Sequence, residues 1–336
     1  MPIAVQDWRG RLPAGTNHSL EEARRAVTIT SAEVKIPTDR DHPYRSLFSN
    51  GATLYPRNLV FVQERDAGPL GAGAGRTAVS SHLSSQAKPP WRDLDPLVGV
   101  IEDAFLRPAY LGENVLPFRT TKPLRAVIPW NGQEIIDHNH ADASPGFTDW
   151  WSRADTLWRE YATDDRDEEL EPLTGNVDYL SKLSGQFPTS GRRIVYTKAG
   201  THLAVAIVED SQAVIDGNLY WSHAASEAEA RYLIAIFNSP SFHEEVVGFQ
   251  PVGLFGPRHF DKYVFEVYWP TYEPENDLHQ MIVEKSSRAQ LVAAEVDLPE
   301  NLYFTHQRRR VRAALSEDGI AEELDNFVLD LLTRPD

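Results

Sequence analysis

The chain has 336 residues, a formal net charge of −16 and no cysteine. These values exclude a disulfide framework and a thiolate metal site, and they make strong non-specific attraction to phosphate unexpected for the chain as a whole. No apolar run approaches the ~18 residues of a membrane helix, and the first residues lack the basic and apolar regions of a signal peptide, so a cytoplasmic protein of one large or two ordinary domains is expected.

Taken in order, residues 1–45 read as an N-terminal arm. A short helix is expected at 20–27, with Ser19 as cap and Glu21 and Glu22 in its first turn, and an extended stretch at 34–44. Residues 54–63 (LYPRNLVFVQ) read as a strand whose Pro56 suits a strand start or an edge. The stretch 66–76 (DAGPLGAGAGR) follows a strand, as a phosphate loop would. Its spacing matches neither a dinucleotide fingerprint nor a P-loop and no clear helix follows, so a flexible hairpin tip is the better reading. Residues 77–92 are polar and end in Lys88-Pro89-Pro90-Trp91. Residues 95–105 suit a strand or a short helix, and 126–130 a strand. His138, His140 and Asp142 have the residue types of a zinc or iron site. No persuasive further ligand lies nearby, so a solvated loop is favoured.

Residues 147–161 are predicted as an amphipathic helix, with Asp149 as a plausible cap and Trp151, Ala154, Leu157, Trp158 and Tyr161 on one face. Trp150, Trp151 and Trp158 have the chemistry to stack on bases, but an aromatic stripe at helical spacing is more often core. An acidic loop at 164–171 and a short helix at 174–183 follow. Residues 194–208 and 213–221 are rich in Val, Ile, Tyr and Trp and read as strands. Ser226 with Glu229 marks a helix start, Ala230, Leu233, Ile234 and Phe237 recur at helical spacing, and Asn238-Ser239-Pro240 ends the run. The loop 248–262 carries Gln250, Arg258, His259 and Lys262 among the aromatics Phe249, Phe255 and Phe260. A helix is expected at 277–292 and a last helix or helix pair at 307–332. Arg308, Arg309, Arg310 and Arg312 crowd the start of the latter, either as phosphate contacts or as a solvated face. Asp318-Gly319 breaks it, and Ile320, Leu324, Phe327, Val328 and Leu331 then form an apolar stripe, suited to the chain's own domain or to a partner helix.

The expected fold class is α+β. A twisted, largely antiparallel mixed sheet would carry strands from 54–63, 126–136, 194–208 and 213–221. Helices at 148–161, 226–238 and 277–292 would flank it, with a helical C-terminal tail. The expected division is an arm at 1–45, an α+β domain at 46–292 and a tail at 293–336.

An ordered series of blocks goes further: SNGATLYPRNLVFV (49–62), FLRPAYLGENVLPFR (105–119), RAVIPWNGQEII (125–136), DGNLYW (216–221), AIFNSPSF (235–242) and GLFGPRHFDKYV (253–264). Over residues 47–289 this series resembles the C-terminal target-recognition region of large bacterial DNA adenine-N6 methyltransferases, those with a TaqI-like specificity domain, of restriction–modification and phage-defence systems. The resemblance implies a module that positions duplex DNA for a methyltransferase catalytic subunit or domain. The catalytic half is not found here. Its Asn/Asp-Pro-Pro-aromatic motif would hold the extruded adenine. Asp41-His42-Pro43-Tyr44 has His in place of the first Pro, and Lys88-Pro89-Pro90-Trp91 begins with a residue that cannot accept a hydrogen bond. No cofactor is therefore expected on this chain, and S-adenosylmethionine is expected on a partner or a missing catalytic domain.

On this reading Gln250, Arg258, His259 and Lys262 are the candidate base-reading residues, and Arg57, Arg107, Lys122, Arg192 and Lys198 the candidate backbone contacts. Two other readings stand beside it. One is a protein-interaction subunit of a defence complex without its own DNA contact, suited to the acidic charge and the apolar last helix. The other is a metal nuclease using His138, His140 and Asp142.

Overall fold

A computed structural model describes residues 2–10, 19–35, 42–69, 71–84, 87–140, 144–162, 170–189, 191–250, 259–299 and 302–333. In chain order, β1 (Pro2–Gly10) pairs antiparallel with β2 (Val27–Lys35), and α1 (Leu20–Ala26) lies between them in sequence. There follow β3 (Ser49–Asn50), α2 (Arg57–Val60), β4 (Phe61–Glu64), β5 (Arg76–Ser81), β6 (Val98–Glu102), β7 (Leu106–Tyr110), β8 (Val115–Leu116), β9 (Arg119–Thr120) and β10 (Leu124–Val127). The helices α3 (Pro145–Tyr161) and α4 (Leu173–Val177) precede the strands β11 (Arg193–Thr197), β12 (Val205–Val208), β13 (Val214–Ile215) and β14 (Leu219–His223). The helices α5 (Glu227–Asn238), α6 (Pro240–Val247), α7 (Asp277–Glu295), α8 (Phe304–Asp318) and α9 (Ile320–Thr333) complete the described elements.

The fold is α+β, as the patterning implies, but the strands divide between two main sheets. One is six-stranded in the order β13-β7-β10-β4-β5-β6, antiparallel except for the parallel pair β13–β7. The other is four-stranded and antiparallel throughout, in the order β12-β11-β14-β3.

Local chemistry explains where the elements depart from the sequence reading. The strand expected at 54–63 gives way to the turn of α2 and runs only from Phe61 to Glu64. The strand expected at 126–136 ends at Val127. Beyond it, the Asn131 side chain accepts from the amides of Gln133 and Glu134 (2.8 and 2.9 Å) and holds a turn. The stretch 194–208 is a hairpin rather than one strand. Residues 213–221 break at Asp216-Gly217-Asn218, so β13 joins the six-stranded sheet and β14 the four-stranded one. The glycine-rich stretch 66–76 is the connection between the antiparallel neighbours β4 and β5, and Gly68, Gly71, Gly73 and Gly75 all have positive φ.

The six-stranded sheet is covered by α3, whose Phe147, Trp150 and Trp151 are wholly buried and whose Trp158 is nearly so. Each indole N–H of these tryptophans donates inside the fold: Trp150 to the Leu59 carbonyl (3.0 Å), Trp151 to Thr174 Oγ1 (2.8 Å) and Trp158 to the Glu171 carbonyl (2.8 Å). They are core and not a stacking platform. Asp149 does not cap this helix. Glu102 of β6 does, accepting from the amides of Gly146 (3.1 Å) and Phe147 (2.8 Å), while Asp149 pairs with Arg153 at 2.7 Å.

The four-stranded sheet is buried on both faces, which is why its strands read as nearly continuous apolar runs. Ile194, Tyr196 and Val205 face a core shared with α5–α9, whereas Val195, Ala206 and Val208 face a smaller cluster with Tyr110, Ile215 and Trp221 that joins the two sheets. Ile320, Leu324, Val328 and Leu331 of α9 lie buried in the first of these cores. The apolar stripe of the last helix is thus spent on the chain's own fold, and the feature that suited a partner helix is occupied. Arg308 and Arg312, from the basic run before it, turn inward. Arg308 donates to the Val115 carbonyl at 3.0 Å and to that of Gly112, and Arg312 donates to the Leu203 carbonyl at 3.0 Å. Burial holds both guanidinium groups down at about 10.

Candidate nucleic-acid interface

The two sheets meet where β3 lies against the turn between β13 and β14. Gly51 N donates to the Leu219 carbonyl (3.0 Å), Ala52 N to that of Ile215 (2.8 Å), and Gly217 N back to that of Ala52 (2.7 Å). A Cβ on Gly51 would sit 2.3 Å from the Asp216 carbonyl oxygen, so only glycine permits this approach. Asp216 itself is buried and shapes the turn, accepting from the amide (3.0 Å) and the side-chain nitrogen (2.7 Å) of Asn218. Burial raises its carboxyl pKa.

This junction places a cleft of about 470 Å³ beside β3 and β14. Ser49, Asn50, Tyr220 and Trp221 line it from the sheet, Lys262 from the segment after the long loop, and Leu180, Ser181 and Lys182 from the segment after α4. Asn50 Oδ1 and Trp221 Nε1 are buried without a hydrogen-bond partner among the described residues, one an acceptor and the other a donor. The backbone around the cleft is held in unusual conformations: Leu180, Ser181 and Asp261 have φ of 57°, 55° and 37°. A non-glycine residue held this way costs on the order of 1–3 kcal/mol, and such residues cluster at functional sites.

Three lysines surround the cleft. Lys198 Nζ lies 6.0 Å from the centre of the Tyr220 ring and 3.6 Å from Asp261 Oδ1. Lys262 Nζ donates to the Arg45 carbonyl (3.1 Å), and burial, then the nearby Arg45 charge, lowers its pKa. Lys182 Nζ stands 5.5 Å from the Tyr179 ring centre. Among the described residues neither Lys182 nor Lys262 has a carboxylate partner. Ammonium groups beside the exposed Tyr179 ring and the half-buried Tyr220 ring suit a polyanion that carries heterocycles.

Of the candidates from sequence, Lys198, His259 and Lys262 come together here. His259 is exposed and bridges Ala199 in antiparallel fashion, and Phe260 N donates to the Lys198 carbonyl at 2.8 Å. Arg258 lies outside the described residues. Gln250 is 5% exposed, so its described side chain does not sit at the surface where a base edge would meet it. Arg192 lies at the far end of β11 from Lys198, in ion pairs with Glu209 (2.8 Å) and Glu227 (2.9 Å). Arg107 is on β7, donating to Gln212 Oε1 at 2.8 Å with its guanidinium over the Phe187 ring, and burial lowers its pKa. Arg57 lines a separate cleft with Lys88 and Trp91, and Lys122 is exposed after β9. Arg193, the residue after Arg192, is wholly buried and donates to the carbonyls of Asp210 (2.8 Å) and Ala213 (2.9 Å). His138 and His140 fall in a single turn, Asp142 lies outside the described residues, and no group able to hold a metal ion forms among the described residues.

Asn50, Tyr220, Trp221 and the 179–182 segment were not singled out from sequence as site residues. The aromatic pair stands in the DGNLYW block, but a strand pattern does not tell which of its rings borders a cleft. The left-handed residues 180–181 carry no glycine or asparagine to mark them.

No protein-family model and no curated protein matches the chain. Among solved structures, the chain is similar to the Type IIL restriction-modification enzyme MmeI in complex with DNA, at 10% identity and a TM-score of 0.49 over 92% of this chain. It is also similar to the type IIG restriction endonuclease BpuSI, at 14% identity and a TM-score of 0.37 over 83% of this chain. The chain spans 38% and 32% of the lengths of those two proteins. No helix among the described residues is long and apolar enough to cross a membrane.

Proposed function

We propose that this chain is a DNA target-recognition module that positions duplex DNA for a separate adenine-N6 methyltransferase unit, which carries S-adenosylmethionine, in a restriction–modification or phage-defence system. The observation that carries the reading is a convergence. Blocks far apart in the sequence resemblance, Ser49 and Asn50 from the first, Tyr220 and Trp221 from DGNLYW and Lys262 from the last, line one cleft. Lys182, Lys198 and Lys262 would hold phosphates, which orients the duplex without specifying sequence. Asn50 Oδ1, an acceptor, and Trp221 Nε1, a donor, are unmatched but buried beneath the cleft, so exposed His259 at its margin is the side chain that would meet a base edge.

Selection from a random duplex library with the purified full chain tests this reading. A recognition module enriches a defined short sequence over successive rounds. Recovery of DNA with no sequence in common would reduce the chain to a non-specific binder and contradict the proposal.

A further inference from the structure

Beside the cleft, Tyr179 and Leu180 project from the surface with exposures of 48% and 72%. Leu180 adopts φ 57° and ψ 33°, and Ser181 follows at φ 55°, two successive left-handed residues with neither glycine nor asparagine. An exposed leucine gains nothing from burial in the free protein, and left-handed backbone opposes it. The conformation persists because its base is fixed from several sides. The Asp178 carbonyl accepts from Ser181 N (2.7 Å), and Asp178 Oδ1 accepts from the amides of Leu183 (3.0 Å) and Ser184 (2.7 Å). Gln186, 1% exposed, ties the segment to β13, donating to the Ile215 carbonyl (2.9 Å) and accepting from Ile215 N (2.8 Å). The result is a rigidly mounted apolar tip beside the lysine-ringed cleft, with Lys182 adjoining it.

We infer that Leu180 is an apolar wedge that enters the base stack of duplex DNA held at the cleft, a role that rests on the DNA-recognition reading above. Apolar side chains inserted at a base step unstack it and kink or unwind the duplex. Lys182, two residues on from Leu180 and with its Nζ 5.5 Å from the Tyr179 ring centre, reaches phosphate beside the opened step.

The test uses the full chain with a relaxed circular plasmid, topoisomerase I and saturating protein at low salt, comparing the wild type with Leu180→Asn. Asparagine tolerates the left-handed backbone, so a merely structural role for position 180 predicts a variant of equal or higher thermal midpoint and unaltered DNA binding. The wedge predicts the same midpoint behaviour together with two losses. The wild type lowers the linking number of the religated plasmid and Leu180→Asn does not, and the variant binds a random-sequence duplex about tenfold more weakly. Wild-type binding without a change in linking number, or equal shifts by both proteins, overturns the wedge and leaves DNA recognition standing. No binding of wild-type protein at low salt overturns both.

Discussion

At the scale of single residues, neighbouring arginines separate structural from surface charge. Arg193 is wholly buried, burial lowers its pKa, and its guanidinium spans two backbone carbonyls. Arg192 is partly exposed between two glutamates. Replacing Arg193 with Ala should cost about 2–4 kcal/mol, because the carbonyls lose their donors and a cavity opens, whereas Arg192→Ala should stay within about 1 kcal/mol. Urea midpoints of the two variants check this ordering, and equal midpoints would contradict it. A second residue-scale outcome concerns pH. Burial, with His202 and Arg312 nearby, lowers the His243 pKa from the ordinary 6.5 to about 4. The folded state therefore holds fewer protons on this ring than the unfolded chain between those values. Its contribution to stability is complete above pH 6.5 and is lost as pH falls toward about 4. His243→Asn should flatten the decline in thermal midpoint across that window relative to wild type. An unchanged slope would show that other groups govern it.

At the scale of elements, close approaches at single glycines position the site. Gly51→Ala places a methyl group 2.3 Å from a backbone oxygen that cannot swing away, so β3 must leave the β13–β14 turn. A loss of at least about 2 kcal/mol is expected, with weaker DNA binding because Asn50 moves with it. Gly185→Ala, with open space around it, is the control and should be near neutral; chemical denaturation of both variants reads the contrast. The N-cap of α5 gives a smaller, calculable effect. Ser226 Oγ accepts from Glu229 N at 3.0 Å, and Ser226→Ala should cost about 1 kcal/mol. That cap was legible in the sequence, as were the core role of the α3 tryptophans and the glycine-rich hairpin loop, because each depends on chemistry within a few residues. The split of 213–221 between two sheets was not. It depends on Gly51 packing against Asp216, a contact across more than a hundred residues that no local pattern records. The inward turn of Arg308 and Arg312 was hidden for the same reason. A cluster of arginines looks alike whether its partners are phosphates or the backbone carbonyls of residues distant in the chain.

At the scale of the whole molecule, a net charge of −16 and a DNA-binding role are compatible only if attraction is confined to a local surface. The cleft beside β14 supplies such a surface, because Lys182 and Lys262 have no carboxylate partner among the described residues and Lys198 is held only loosely by Asp261 at 3.6 Å. Binding should accordingly be weak at physiological salt and steeply salt-dependent. The most direct measurement is fluorescence anisotropy of the full chain with a random-sequence duplex across a salt series, for wild type and for a variant combining Lys182→Gln, Lys198→Gln and Lys262→Gln. With about 0.9 of slope per neutralised phosphate, the variant's plot of log affinity against log salt should be shallower by roughly 2 to 3, and its affinity at low salt at least about tenfold lower. Absence of wild-type binding at low salt, or identical slopes for the two proteins, would contradict the assignment of this cleft as the DNA interface.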